Sequence, residues 1–314
     1  MTSNPLVSVI VPSYNRRRWI GECLDSLLGQ TYPHFEVLVI DDGSTDGTVE
    51  WLGGEPRYGF AQVHVQPRNA GASEARNEGV RRCRGDLVTF IDSDDALEPT
   101  HLETAVRAFK EIPNLGLFCC DARIVDAEGK LLQKGRTWHE INSEIRKYAV
   151  RTGLRSLQDI FLFSNCFPGF TLSRCVYTEV GGLDQSIFPL DDYDLALRIA
   201  GRGHSVYYCH QPLTRYRVHG GNSSGVANAV PVARHKLRCL RQALARHEEI
   251  RTLGPAARRR LADVELELAI AYALCGRQIA ATGTLFRALA RDPGQITSVA
   301  KLVGRKLRKR TPAN

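Results

Sequence analysis

The stretch LVTFIDSDDALEP (residues 87–99) places three carboxylates directly after an apolar run. Leu87–Ile91 is short and apolar for most of its length, which is typical of a buried strand. Asp92, Asp94 and Asp95 follow within four positions, and like charges this close repel one another. These side chains must protonate, stay in open water or share a compensating cation. The stretch therefore predicts a strand that ends at an ionic site.

Three interpretations of this acidic cluster arise from the residues themselves. An EF-hand calcium loop is excluded, because it requires Gly at its sixth position and this chain has Leu there. A structural role remains open, since Asp95 precedes Pro99, at the predicted start of the next helix, and is a candidate cap. The third interpretation is a divalent cation that Asp92 and Asp94 share with a diphosphate.

Apolar runs on either side of this stretch predict an α/β fold. Short β-branched runs alternate with segments whose apolar residues have helical spacing. Several strands are apolar throughout, which indicates a mostly parallel sheet with helices on both faces. The predicted strands are Leu6–Val11, Phe35–Ile40, Ala61–Val65, Leu87–Ile91 and Leu115–Cys120. The predicted helices are Trp19–Leu28, Thr48–Leu52, Ser73–Arg82 with Ser73 as its N-cap, and Pro99–Lys110.

Polar segments follow three of the predicted strands, namely PSYNR, DDGSTD and DSDD. Ligands of open α/β sheets bind beyond the carboxyl ends of the strands, so we expect these segments at one edge of the sheet. Another acidic pair, Asp191–Asp192, precedes the predicted helix DYDLALRIA. Taken singly, Asp41–Asp42 also fits a turn, and Asp191–Asp192 fits the acidic start of a helix. Together, in a basic chain, the clusters indicate a nucleotide and metal site.

Composition narrows the class of protein further. The chain has 314 residues and a formal net charge of +8, which favours an anionic partner but does not identify it. Nine cysteines without a CxxC pair argue against a zinc site and favour free thiols in a reducing, cytoplasmic compartment. No apolar run approaches the roughly 20 residues that span a bilayer. No recognised nucleic-acid-binding motif is present, so nucleic acid is not an expected partner.

Composition changes near Gly225 to Ala, Leu and Arg with helical periodicity. We therefore expect a catalytic domain over residues 1–225 and a helical region over 226–314, while the segment 121–163 stays unassigned. Leu268–Pro293 resembles a single tetratricopeptide-type repeat, and an Ala-rich helical hairpin is the alternative. The basic, amphipathic tail VAKLVGRKLRKR predicts either peripheral contact with an anionic membrane surface or a solvated end.

Six motifs in the chain resemble, in this order, those of the family 2 glycosyltransferases of GT-A fold. They are VSVIVPSYNR, VLVIDDGSTDGT, NAGASEARNEGVRRCRGDLVTFIDSDD, GGLDQS, DDYDLALRIAGRG and YRVHGGNSS. The resemblance implies a metal-dependent enzyme that moves a sugar from a UDP-, GDP- or dTDP-linked donor to a hydroxyl group. The acceptor would be a glycan, a polysaccharide of the cell envelope or a lipid-linked saccharide.

The same resemblance implies roles for individual residues. Asp192 would be the general base, and Asp94 with His219 would bind Mn²⁺ or Mg²⁺. The acceptor side would be supported by Asp191, Gly181 and Gly182. The nucleotide would contact Pro12, Tyr14, Asn15, Arg16, Asp42, Arg76, Asp92 and Ser93. For Arg76, a solvated helix face remains an alternative.

The chain departs from the family pattern at two positions, and two other functions compete. Asp191 stands where the family usually has Glu, and Leu183 stands where it often has Phe. A single base without a second nucleophilic carboxylate favours direct displacement with inversion. A sugar-phosphate nucleotidyltransferase would need a Gly-rich loop after the first strand, and PSYNRRRW has no glycine. A non-catalytic helical adaptor would not need the complete acidic set.

Overall fold

The computed structural model describes residues 4–141, 151–163, 169–222 and 228–294. The chain divides into two compact units, residues 1–222 and 223–314. In the described residues, the first unit contains all the strands and the second contains helices. The boundary predicted after residue 225 is close to this division.

The first unit is an α/β fold built on one mixed sheet. Its described strands are β1 (Val7–Ser13), β2 (Phe35–Asp41), β3 (Ala61–Val65), β4 (Leu87–Phe90), β5 (Ala96–Leu97), β6 (Leu115–Val125), β7 (Gly153–Arg155), β8 (Thr171–Ser173) and β9 (Ser205–Arg217). Its described helices are α1 (Ile20–Leu28), α2 (Thr48–Gly54), α3 (Ala72–Arg82), α4 (His101–Glu111), α5 (Trp138–Ile141), α6 (Leu157–Phe163), α7 (Arg174–Glu179) and α8 (Asp191–Gly201). The strands follow the order β3-β2-β1-β4-β8-β6-β9-β5, and β7 pairs with β9.

The parallel strands β3, β2, β1 and β4 position the expected site. Ser13 of β1 is level with Asp41 of β2, so the two polar segments leave the sheet side by side. The pairing of β1 with β4 ends at Ile10 and Phe90, and the acidic segment follows directly. The prediction that all three polar segments lie at one edge of the sheet is confirmed.

Helix α3 packs unusually close to the central strand β1. Gly79, in the middle of α3, has no side chain, and a Cβ atom there would lie 2.4 Å from Ile10 Cγ2. Ile10 is fully buried in β1. The absence of a side chain at residue 79 therefore fixes the distance between this helix and the sheet, and α3 also contributes two residues to the site.

Several local predictions need correction. Helix α3 begins at Ala72 with Gly71 as its N-cap and without a side-chain cap, so Ser73 is not the cap. Asp95 does not cap α4, because the N-cap of that helix is Thr100. The carboxylate of Asp95 instead accepts a backbone N–H from β9. The acidic pair does not precede α8 but forms its first two residues. For Ser73 and Asp95, a contact distant in sequence determines the position of the side chain.

The second unit consists of helices around a buried carboxylate. Its described helices are α9 (Ala229–Arg246), α10 (Glu248–Arg251), α11 (Pro255–Leu274) and α12 (Gln278–Arg291). Glu265 of α11 is fully buried and pairs with Arg241 of α9 at 3.1 Å and with Arg291 of α12 at 3.0 Å. Helices α11 and α12 form the helical hairpin that was the alternative to a tetratricopeptide-type repeat, and the repeat itself is not confirmed. The tail VAKLVGRKLRKR lies outside the described residues.

Among the described residues, no helix is both long and apolar enough to cross a bilayer.

We expect Gly79→Ala to destabilise the protein by about 1–3 kcal/mol, because the added methyl group overpacks the contact with β1. Gly53→Ala is the matched control, since a Cβ atom at this helical position meets nothing within 4 Å. This control should be neutral or slightly stabilising, as alanine favours helices. Denaturant unfolding measures both free energies. Equal effects of the two substitutions would contradict the close packing of α3 on β1.

Candidate active site

Three carboxylates converge in the acidic loop, the segment of residues 91–95 between β4 and β5. Asp92, Asp94 and Asp95 each offer an oxygen atom, and these atoms lie within 4.8 Å of one another. Asp94 and Asp95 are buried, whereas the Asp92 side chain is 47% exposed. Burial raises the pKa of Asp95 well above its usual value, and the charges of Asp94 and Asp92 raise it further. Burial and the two neighbouring carboxylates thus both disfavour a negative charge on Asp95.

Asp94 receives two donors from distant parts of the chain. Its Oδ2 atom accepts from Arg16 Nε at 3.1 Å and lies 2.9 Å from His219 Nε2. The Gly221 N–H donates to His219 Nδ1 at 3.1 Å, so in the neutral ring the proton is on Nε2 and points to Asp94. The His219 ring also stacks on Trp19 with a centroid distance of 4.3 Å. As arranged, His219 is a hydrogen-bond donor, and metal ligation through Nε2 would require the other tautomer.

Arg217, at the end of β9, holds the acidic loop in place through hydrogen bonds. Its side chain is 2% exposed. The backbone N–H donates to Asp95 Oδ1 and the Nε atom donates to the Asp94 carbonyl, both at 2.8 Å. The guanidinium group also contacts Glu22 of α1 and the carbonyl oxygens of 126 and 127. One side chain thus connects the acidic loop, α1 and the turn after β6.

Arg76 connects the acidic loop to α8. Its guanidinium group donates to Asp92, and its Nη1 atom lies 3.5 Å from Asp191 Oδ2. Burial alone would lower the pKa of Arg76, but the charges of Asp92 and Asp191 outweigh it and raise the pKa above its usual value. The Arg76 side chain is only 12% exposed, so the alternative of a solvated helix face is wrong.

The start of α8 places Asp191 and Asp192 in different environments. Asp191 is buried, and its Oδ2 atom accepts from Ser73 Oγ at 2.7 Å as well as facing Arg76. Asp192 is half-buried, and its Oδ1 atom accepts the N–H of Tyr193 at 2.7 Å. The geometry makes Asp191 an anchor of the helix start and leaves Asp192 more accessible to a substrate.

The Gly181–Gly182 turn contacts both α3 and α8. Both glycines have positive φ, and a Cβ atom at Gly182 would lie 2.9 Å from Asn77 Oδ1. Arg198 of α8 donates to the carbonyl of Gly182 at 2.7 Å, while Asn77 of α3 accepts the N–H of Leu183 at 3.1 Å. The turn is thereby connected to both helices that contribute carboxylates or arginines to the site.

The segments after β1 and β2 hold each other in place. Asn15 has a φ of 54°, and its Oδ1 atom accepts the N–H of Thr45 at 2.8 Å. Ser44 donates to Asp41 and accepts the N–H of Asn15. Asp42 is buried and accepts the N–H groups of residues 70 and 71, so it shapes the loop that enters α3.

The remaining predicted nucleotide contacts differ in exposure. Tyr14 is 41% exposed at the sheet edge, whereas Pro12 is buried within β1 and Ser93 is buried in the acidic loop.

Six of the predicted site residues are brought together through hydrogen bonds or ion pairs, namely Arg16, Arg76, Asp92, Asp94, Asp191 and His219. Pro12, Tyr14, Asn15 and Asp42 occupy the neighbouring strand ends of the same edge.

Sequence reasoning missed three residues that shape this site. Arg217, Ser73 and Trp19 each contact a predicted site residue or its backbone. Arg217 was visible in the sequence only as a charged residue of the motif YRVHGGNSS, and its partners Glu22 and Asp94 are distant in the chain. The Ser73 contact had no sequence signal, because its partner Asp191 is 118 residues away.

Comparison with known families identifies the class of the chain. Residues 8–178 match the family model "Glycosyl transferase family 2". The matched range contains the acidic loop, Arg76 and the segments after β1 and β2. The chain therefore belongs to glycosyl transferase family 2.

Individual relatives cover different shares of the chain. The chain is 32% identical over 227 residues to chondroitin synthase of Escherichia coli, a match that spans 70% of this chain and 30% of that protein. An uncharacterized glycosyltransferase of Haemophilus influenzae is 29% identical over 223 residues, 70% of each protein. The match thus spans less than a third of the synthase.

Solved structures have the same fold. The mannosyltransferase PcManGT from Pyrobaculum calidifontis, in complex with GDP-Man and Mn²⁺, aligns with a TM-score of 0.64 and 21% identity, covering 99% of this chain and 82% of that one. TarS of S. aureus (residues 1–349), in complex with UDP-GlcNAc, aligns with a TM-score of 0.59 and 19% identity, covering 89% of this chain and 90% of that one. These likenesses establish the GT-A fold for the chain, as the motifs predicted.

We expect Arg217→Gln to destabilise the protein by about 3 kcal/mol, because it leaves buried acceptors and the Asp95 region without a cation. Arg18→Gln is the control. Arg18 pairs with Glu128 in an ion pair whose side chains are 62% and 69% exposed. The control should cost less than about 1 kcal/mol. Denaturant unfolding compares the variants, and equal losses of stability would rule out an organising role for Arg217.

Proposed function

We propose that this protein is an inverting glycosyltransferase that moves a sugar from a nucleotide-sugar donor to an acceptor hydroxyl group. The observation that carries the proposal is the connection between the acidic loop and the start of α8. Arg76 contacts Asp92 on one side and Asp191 on the other, so a donor at the loop would lie beside Asp192. Family membership and the GT-A fold support the same reaction class.

The acidic loop fits a divalent cation. Its three carboxylates provide the oxygen ligands that Mn²⁺ and Mg²⁺ prefer, and their oxygen atoms lie within 4.8 Å of one another. Asp94 would bind the ion, with Asp92 near its waters or the ribose. A bound cation would supply electrostatic stabilisation of the departing diphosphate. PcManGT was solved with Mn²⁺, which supports a metal in a related fold.

Two arginines and His219 would bind the diphosphate from the protein side. The Arg76 guanidinium group lies between Asp92 and Asp191 and would exchange part of its contact with Asp92 for a phosphate oxygen. Arg16 Nε reaches Asp94 and would exchange part of this contact for a phosphate oxygen. The Nε2–H group of His219 would donate a hydrogen bond to the diphosphate. In the other tautomer, Nε2 would ligate the metal.

The nucleoside would bind at the edge formed by the segments after β1 and β2. Tyr14 is the exposed aromatic ring at this edge, and Asn15 is fixed there by its contacts with residues 44 and 45. Pro12 and Ser93 are buried, so they would shape the nucleoside site through the path of the backbone. Asp42 would act by holding the loop before α3, with base contact remaining a prediction. The related structures contain GDP-Man or UDP-GlcNAc, which supports a nucleotide-sugar donor.

The acceptor would approach the side of Asp192 and the Gly181–Gly182 turn. A hydroxyl group is a weak nucleophile, and a positioned carboxylate that takes its proton accelerates attack by about 10²–10⁴-fold. Asp191 is occupied by Ser73 and Arg76, so it would position the helix while Asp192 accepts the proton. Attack by the acceptor itself on the anomeric carbon gives inversion.

The other predicted functions have less support. A sugar-phosphate nucleotidyltransferase or a non-catalytic adaptor is not favoured by the family match. The chondroitin synthase of E. coli is consistent with a saccharide acceptor, although the match spans 30% of that protein. Cytoplasmic location and peripheral membrane contact through the basic tail stay predictions.

We expect Asp192→Asn to reduce sugar transfer by about 10²–10⁴-fold and to leave donor affinity nearly unchanged, because asparagine keeps the size but cannot accept the proton. Asp191→Asn is the comparison, and it should lower thermal stability more than Asp192→Asn does. A panel of sugar nucleotides and saccharide acceptors with Mn²⁺ identifies an active pair, and nucleoside diphosphate release then gives the rates. Transfer by Asp192→Asn at the wild-type rate would refute the assignment of the base, and loss of donor binding would place Asp192 in the donor site.

A further inference from the structure

The second unit contains a groove with four arginines. Helices α9, α11 and α12 form its walls, and its volume is about 1040 Å³. Arg234, Arg238 and Arg241 of α9 and Arg287 of α12 line it, and all four are exposed. The described lining residues include no Asp or Glu. The groove is therefore strongly cationic.

The three α9 arginines form a row along one face of the helix. Their spacing of four and three residues, at about 1.5 Å rise per residue, spreads the guanidinium groups over about 10 Å. Arg241 also pairs with Glu265, but Glu265 is shared with Arg291, so one carboxylate faces two guanidinium groups. The described lining residues themselves contribute four arginines and no carboxylate.

Apolar side chains line the same groove on both sides of this row. Val230 and Pro231 lie one turn before the first arginine, and Leu268 and Tyr272 of α11 form the facing wall. Guanidinium groups bind phosphate through paired hydrogen bonds, whereas the apolar wall offers nothing to a purely ionic ligand. The combination matches a molecule with a phosphate or diphosphate group and an apolar chain.

We propose that this groove binds a phosphate-bearing amphiphile, with the phosphate group on Arg234, Arg238 and Arg287 and the apolar chain along Leu268 and Tyr272. All the lining residues of this groove belong to the second unit, and none belongs to the acidic loop. It needs no divalent cation, because the arginines themselves supply the positive charge. The inference does not depend on the proposed glycosyl transfer, and a binding assay tests it without enzyme activity.

Calorimetry on the full chain tests the proposal with farnesyl diphosphate, below its micelle concentration and with a chelator that removes divalent cations from the acidic loop. We expect the double variant Arg234→Gln, Arg287→Gln to weaken binding at least about tenfold, because two charge-assisted contacts are lost. The double variant Arg258→Gln, Arg259→Gln is the matched control. It removes the same charge from exposed positions of α11 outside the groove and should change affinity less than about twofold. A thermal melt of both variants verifies folding.

Two further ligands test the diphosphate group and the apolar chain of farnesyl diphosphate separately. Inorganic pyrophosphate should bind at least about tenfold more weakly than farnesyl diphosphate, since it lacks the buried chain. Farnesol should also bind more weakly, since it lacks the charge. Equal binding of pyrophosphate and farnesyl diphosphate would overturn the role of the apolar wall. Equal losses in the groove variant and the control, or binding of farnesol as tight as that of farnesyl diphosphate, would overturn the proposal.

Discussion

The structure of the site depends on the balance between clustered carboxylates and the arginines that face them. Asp92, Asp94 and Asp95 lie too close together to remain charged without compensation. Arg76 and Arg217 supply part of that compensation from buried positions, one on α3 and one at the end of β9. Because each arginine also contacts a second element, neutralising the loop fixes the positions of α1 and α8 as well.

This balance connects the donor and acceptor sides of the proposed reaction. Arg76 lies between Asp92 and Asp191, and Ser73 of the same helix holds Asp191 from its other side. Helix α3 is itself fixed against β1 at Gly79, where no side chain would fit. Arg76 and Ser73 both belong to α3, so this helix connects the acidic loop to the start of α8, which carries Asp192. In the proposed reaction, a single helix thus contacts both the donor side and the acceptor side.

Most of the fold and part of the site could be predicted from the sequence. Strand ends were predictable because apolar runs are followed directly by polar turns, and this placed the segments after β1, β2 and β4 at one edge. The contacts that tune the site were not predictable, since their partners are distant in the chain, as with Arg217 and Asp94. Ser73 illustrates the limit. Its local pattern fits a helix cap, but a buried carboxylate 118 residues away offers it a stronger hydrogen bond.

We propose that the acidic loop binds a divalent cation and, through it, the diphosphate of the donor. Calorimetric titration of UDP and GDP, with Mn²⁺ and then with a chelator, measures this dependence. We expect at least one nucleotide to bind with Mn²⁺ and chelation to weaken this binding at least about tenfold, because the carboxylates then repel the diphosphate. Equal affinity with Mn²⁺ and with the chelator would rule out a cation-dependent diphosphate site in the acidic loop.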